Sequence, residues 1–256
     1  MQVWHMSGAG NDFAVIDARG LTPDFSALAL QLCKQLHCDG FMAVDEAADA
    51  DFRLHFYNAD GSRGEMCGNG ARCICRFAYE NGIAGERMTV RTDAGIVYGR
   101  RLNESSYRVR LNEPSVTDLE RKGKIAYVEL GDPGVPHAVV EVDAPPSREQ
   151  LRELGKTLRY DPAFPKGANV NFFYQLEEGH VQVLTYERGV EDFTQACGTG
   201  CGSVACVLHD LGRLPKCTLT AENEGGQLKV FLGARRKAIV DILLEGPTAI
   251  VTKFDM

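Results

Sequence analysis

Glu65-Met66-Cys67-Gly68-Asn69-Gly70-Ala71-Arg72 in the first half of the chain and Gln195-Ala196-Cys197-Gly198-Thr199-Gly200-Cys201-Gly202 in the second are near-copies of one pattern. In each, a thiol precedes a Gly-x-Gly turn and then an apolar run of helical spacing, Ala71 to Tyr79 and Gly202 to Leu211. The pattern predicts a helix just after each thiol, with the sulfur and the following backbone N–H groups at its positive end. Such a position lowers a thiol pKa and attracts anions. Two equivalent thiols facing one another across a cleft can take a proton from one face of a carbon and return one to the other, which is the geometry of a racemase.

The duplication extends outward from the thiols. Tyr57 precedes Cys67 by 10 positions and Tyr186 precedes Cys197 by 11, and both intervals read strand, polar loop, thiol turn, helix. Alternation predicts strands within Gln2 to Ile16, Asp51 to Tyr57, Met88 to Val97 and Tyr107 to Leu111, with turns at Gly8-Ala9-Gly10-Asn11-Asp12 and Asn58-Ala59-Asp60-Gly61. In the second half strands are predicted at Lys124 to Leu130, His137 to Val142, Asn169 to Leu176, His180 to Tyr186, Thr218 to Ala221, Leu228 to Leu232 and Lys237 to Glu245. Phe25 to Leu36, behind an N-cap region at Pro23-Asp24, and Ser147 to Leu158 are the further helices. Each half is therefore mostly β with two helices. A linker is expected near Asn112-Glu113-Pro114-Ser115, dividing a lobe of residues 1–114 that carries Cys67 from a lobe of residues 115–245 that carries Cys197. The last stretch, about 246–256, alternates over Ala249 to Phe254 and is expected to pack back on the first lobe.

Composition narrows the function classes. With 256 residues, 44% apolar and 25% charged, the chain has the balance of a globular protein with room for two cores. A net charge of −7 offers no basic footprint for nucleic acid, so a small-molecule partner is expected. No apolar run approaches the roughly 20 residues of a membrane span, and no charged segment with an apolar stretch opens the chain, so a cytoplasmic setting is expected. Nine cysteines in that setting predict reduced thiols rather than a disulfide framework. Cys33, Cys38, Cys73, Cys75, Cys201, Cys206 and Cys217 are read as small buried apolar side chains, and no Cys-x-x-Cys knuckle points to a metal.

Amides in the site loops suit recognition of an amino acid. Asn11, Asn58 and Asn69 all lie in Gly-containing turns, where a side-chain amide can donate and accept. Glu187-Arg188 closes a strand just before the second thiol loop and is expected to face the same cleft. His137, after Pro136, is the histidine to place near a site, and His5, His37, His55, His180 and His209 are read as packing or surface residues.

His5-Met6-Ser7-Gly8-Ala9-Gly10-Asn11-Asp12-Phe13, Asn58-Ala59-Asp60-Gly61-Ser62, Glu65-Met66-Cys67-Gly68-Asn69-Gly70-Ala71-Arg72-Cys73, Tyr186-Glu187-Arg188-Gly189 and Ala196-Cys197-Gly198-Thr199-Gly200 closely resemble, in order and separation, the motifs of the diaminopimelate epimerases. The resemblance implies an α/β fold of two pseudo-symmetric lobes, each a curved, mainly antiparallel sheet wrapped around a central helix. It implies a cofactor-independent isomerase that converts LL-diaminopimelate to the meso form, with Cys67 and Cys197 as acid/base thiols. By the same resemblance His137 and Glu187 belong to the catalytic set. Asn11, Asn58, Gly68, Asn69, Asn169, Glu187, Arg188, Gly198 and Thr199 would contact the amino acid substrate. Dimerisation to a homodimer is also implied, with no interface legible in the residues. One position departs from the family: its Gly-Asn-Pro-His stretch is Gly134-Val135-Pro136-His137 here. Loss of that amide keeps open an alternative, a racemase or epimerase of the same fold acting on a different amino acid.

Overall fold

A computed structural model describes residues 1–64, 67–214, 216–236 and 238–256, so Glu65 and Met66 of the first thiol motif and Lys237, the expected start of a strand, lie outside the described residues. The chain divides into two compact units, Met1–Arg110 with Glu245–Met256, and Leu111–Leu244. The first runs β1 (Gln2–Gly8), β2 (Asn11–Asp17), α1 (Phe25–Leu36), β3 (Gly40–Asp45), β4 (Phe52–Asn58), α2 (Gly68–Glu80), β5 (Arg87–Thr92), β6 (Gly95–Arg101) and β7 (Ser106–Leu111). The second runs β8 (Pro114–Lys122), β9 (Ile125–Leu130), β10 (Val135–Glu141), α3 (Arg148–Arg159), β11 (Asn169–Glu177), β12 (His180–Glu187), β13 (Asp192–Phe193), α4 (Gly198–Asp210), β14 (Thr218–Asn223), β15 (Gly226–Arg235) and β16 (Ala238–Pro247). The final strand, β17 (Ala249–Asp255), returns to the first unit and pairs antiparallel with β1.

The two units share one strand plan. In the first, β1 and β2 form an antiparallel pair, β2 and β3 a parallel pair with α1 between them, β3 and β4 an antiparallel pair, and β4 and β5 a parallel pair with α2 between them. In the second, β9/β10, β10/β11, β11/β12 and β12/β14 repeat these relations with α3 and α4 as the crossovers. Parallel neighbours need a crossover, so each unit acquires two helices, one for each face of its sheet.

Sequence explains which helix goes where. The α4 sequence, Gly-Thr-Gly-Cys-Gly-Ser-Val-Ala, is small or apolar nearly all round, whereas α2, Gly-Asn-Gly-Ala-Arg-Cys-Ile-Cys, also carries Asn69, Arg72 and Arg76, which are buried with hydrogen bonds to Asn11, Gly68 and Thr248. A helix that is apolar all round is stable only when enclosed, and nearly all of α4 is buried, as is Gly68–Ala78 of α2. The other two helices, α1 and α3, bury one face only. Ala29, Leu32 and Cys33 of α1 pack on Val3, Ala14, Ile16, Phe41 and Ala43, and Leu158 of α3 packs on Ala138, Val170, Phe172, Leu184 and Tyr186. Successive strand residues point to opposite faces, so Trp4 meets Phe77 of α2 edge-on, with ring centroids 4.9 Å apart, while Val3 joins the cluster under α1.

Three local readings change. The stretch expected as a linker is only two residues, Asn112 and Glu113, between β7 and β8, because Pro114 opens β8; a strand's first residue tolerates a missing N–H. The alternation over Met88 to Val97 is a hairpin, β5/β6, with Gly95 at φ 113°. Strand β3 lacked the signal altogether, since Gly40–Val44 is buried throughout and does not alternate. Among the described residues no helix is long and apolar enough to cross a membrane.

Candidate active site

Both thiols occupy the same backbone position. Cys67 is the N-cap of α2 at φ −110° and ψ 123°, and Cys197 is the N-cap of α4 at φ −118° and ψ 109°. Each carbonyl opens its helix, accepting from Ala71 N at 2.7 Å and from Cys201 N at 3.0 Å. The N–H groups that follow have no intrahelical carbonyl to reach, and the Gly200 N–H donates instead to Cys197 Sγ at 3.4 Å. A small residue lets the first turn of α2 lie close to β1: a Cβ on Gly8 of β1 would stand 2.8 Å from Asn69 O and 2.9 Å from Cys73 Sγ.

In the first unit a polar chain runs through that turn. Asn69 is 1% exposed, its Nδ2 donates to Asn11 Oδ1, and its Oδ1 accepts from Arg72 Nη2 at 2.8 Å. Asn11 Nδ2 in turn reaches Asp39 Oδ2 at 3.4 Å. Asn11 and Asn69 thus come together, and the fully buried Arg72 sets the direction in which Asn69 presents its amide. Asn58 lies elsewhere on the surface of this unit. Its Nδ2 donates to Ser62 Oγ at 2.9 Å and its carbonyl accepts from Gly61 N at 3.0 Å, so it organises the loop that leads to the thiol.

In the second unit the sheet face beneath α4 carries His137, Asn169, Asn171, Thr185 and Glu187, placed there by the registers His137↔Asn169 and Asn171↔Thr185. Asn169 bridges Pro136 O (3.2 Å) and Arg188 N (2.8 Å), which fixes the start of the Glu187-Arg188 loop. Arg188 is exposed and donates to Lys166 O at 3.1 Å. Glu187 Oε2 accepts from Thr194 Oγ1 at 2.9 Å. Gly198 is buried and Thr199 half-buried, with Thr199 Oγ1 3.5 Å from Cys197 Sγ. Val135 opens β10 and is half-buried. Asn171, Thr185, Arg72 and Asp39 escaped the sequence reading. Only Asn169-Val170-Asn171, with amides two residues apart inside an apolar strand, offered a signal.

The thiols differ in environment. Cys67 is half-buried, whereas Cys197 is buried at 7% exposure. Desolvation first, then the Glu187 carboxylate, push the Cys197 thiol well above its ordinary value, against hydrogen bonds from Thr199 and from Gly200 N at 3.4 Å. This corrects the expectation of a lowered pKa at that helix start: burial outweighs the helix terminus. Burial also pushes Cys73, Cys75 and Cys206 up to about 12, which leaves them as inert thiols. Cys217 is half-buried at φ 51°, so it is not the core residue expected.

The fold is a mixed α/β one that solved structures share. A phenazine biosynthesis protein of the PhzF family from Bacillus anthracis superposes with a TM-score of 0.75 at 16% identity, covering 100% of this chain and 98% of the other. A probable proline racemase from Agrobacterium radiobacter does so with a TM-score of 0.69 at 17% identity, covering 100% and 92%. The family itself follows from sequence. Residues 3–114 and 131–248 match the family described as diaminopimelate epimerase, and the chain belongs to that family. The diaminopimelate epimerase of Aquifex aeolicus is 35% identical over 89% of this chain and 88% of its own, and that of Flavobacterium psychrophilum is 30% identical over 98% of each. These relatives carry one name, which does not favour the alternative raised by Val135.

Proposed function

We propose that this chain interconverts LL- and meso-diaminopimelate by moving a proton at one α-carbon between Cys67 and Cys197, without pyridoxal phosphate. The observation that carries the reading is the equivalence of the two thiols: each is the N-cap of the enclosed helix of its unit, behind the same strand plan. A base on one face of a stereocentre must meet an acid on the other. Cys197, held protonated by burial and by Glu187, is the acid of the resting enzyme. Cys67, half-buried, is its partner on the opposite face, and the roles exchange for the reverse reaction.

An α-proton is far less acidic than a thiol, so carbanion charge has to be stabilised as it develops into the α-carboxylate. The N–H groups of Gly68-Asn69 and Gly198-Thr199, in the first turns of α2 and α4, would supply this, and one such donor is worth about 2.7 to 4 kcal/mol in comparable oxyanion sites. Asn11, Asn58, Asn69 and Asn169 shape the loops around the amino acid, and the exposed Arg188 with Glu187 meets its charged groups. His137, fully buried, contributes from below the second thiol loop.

The test is epimerisation of LL-diaminopimelate by the purified, reduced protein in heavy water. Product should carry solvent deuterium at the α-carbon. Cys67→Ala and Cys197→Ala should each lose at least about 100-fold in turnover while remaining folded. Turnover near wild type in either variant, or product without deuterium, would refute the two-base scheme.

A further inference from the structure

His137 is fully buried on β10, and its Nδ1 lies 3.2 Å from Asn171 Nδ2. The same amide nitrogen is 3.0 Å from Ala138 O and 3.3 Å from Asn169 O, while Asn171 Oδ1 accepts from Thr185 Oγ1 at 3.0 Å. These contacts settle which way the amide points. Carbonyl oxygens only accept, so the atom facing two of them is the NH2 group; the reversed amide would set its oxygen against both. The amide is also held in place from above. A Cβ on Gly200, in the first turn of α4, would fall closer than 3.0 Å to Asn171 Oδ1 and 3.1 Å from its Cγ.

An NH2 group turned toward Nδ1 dictates the state of the imidazole. However its two hydrogens are shared among three acceptors, a proton on Nδ1 would meet another N–H. Nδ1 therefore carries a lone pair, and the neutral ring bears its proton on Nε2. That atom is buried and has no hydrogen-bond partner among the described residues. We propose that Asn171 is a positioning residue that fixes His137 as the Nε2–H tautomer, so that the ring offers the site a hydrogen-bond donor and not a base. Neutrality is reinforced by burial, which together with the Arg188 charge lowers the His137 pKa to about 3. The inference about the ring stands on geometry alone, and its bearing on the reaction rests on the function proposed above. A donor confined in a buried place suits an acceptor oxygen of the substrate, such as a carboxylate.

The experiment is the ¹⁵N imidazole spectrum of the full-length protein, with the His137 signals assigned by their loss in His137→Gln. The expected spectrum shows Nε2 protonated and Nδ1 unprotonated, unchanged between about pH 5 and 8. Asn171→Asp, whose carboxylate accepts from Nδ1, should move the proton to Nδ1 or charge the ring, and should lower kcat by about 10 to 100-fold with a smaller change in KM. A wild-type ring protonated on Nδ1, a ring that titrates within that range, or an Asn171→Asp spectrum identical to wild type would overturn the proposal. If Asn171→Asp fails to fold, the wild-type spectrum alone decides. The readout needs no turnover: an Nε2–H ring in a protein that fails to epimerise diaminopimelate would sink the proposed function and leave this inference intact.

Discussion

Replacing Gly200 by alanine tests how tightly α4 is set on its sheet. The new methyl would fall closer than 3.0 Å to Asn171 Oδ1 and 3.2 Å from Thr185 Oγ1, both from buried side chains on β11 and β12. Overpacking of this kind costs about 1 to 3 kcal/mol. Disturbing the Asn171 contacts to Thr185 and His137 adds about 0.5 to 1.5 kcal/mol for each hydrogen bond, and better helix propensity returns about 1 kcal/mol. The net is a loss of about 3 kcal/mol, or roughly 6 to 12 °C in melting temperature for a chain of this size. Gly202→Ala is the internal control. Its Cβ would meet Leu111 Cδ1 at 3.3 Å, Leu130 Cδ1 at 3.4 Å and Ile242 Cγ2 at 3.7 Å, methyl groups that can yield, so it should stay within about 1 kcal/mol of wild type. Thermal melts of the two variants decide. Equal stability of Gly200→Ala and Gly202→Ala would refute the claim that the first turn of α4 is in van der Waals contact with the polar face beneath it.

Two further outcomes follow from single residues. His137 stays neutral in the fold until about pH 3, whereas an exposed histidine takes up a proton below about pH 6.5, so between these values the unfolded chain binds more protons and stability falls with acidification. This residue alone should remove about 2 kcal/mol between pH 7 and pH 5; urea midpoints of wild type and His137→Gln that shift in parallel with pH would contradict it. Asp24 caps α1 through Ala27 N at 3.1 Å, and Asp24→Ala should cost about 1 kcal/mol in denaturant unfolding with turnover unchanged; an equal loss of turnover would show that α1 acts on the site.

The thiol loops were legible because their chemistry is local: a sulfur, two glycines and a helix start within a few positions. Even so, both helices begin three or four residues earlier than the apolar spacing indicated, since glycine is a poor helix former and hides the first turn. Helix α1 was legible at both ends because Asp24 and the apolar stripe agree. Other features depend on tertiary neighbours. The raised pKa of Cys197 comes from its burial and from Glu187 ten residues away in sequence, neither of which a helix-terminus argument contains. Asn171 looks like an isolated polar residue in Asn169-Val170-Asn171-Phe172-Phe173 until the β10/β11 register brings it to His137, 34 residues distant. Strand β3 was missed for the opposite reason, since burial on both faces erased its alternation.

The pairing of β17 with β1 has a consequence for biosynthesis. The first unit is discontinuous: its opening strand emerges from the ribosome long before the partner that covers its edge. At about 5 to 20 residues per second that edge waits roughly 12 to 50 seconds. Residues 111–244, by contrast, form a contiguous compact unit that waits for no later segment. Nascent chains arrested after residue 244 should then resist protease across the later-made unit while the earlier-made one is cut.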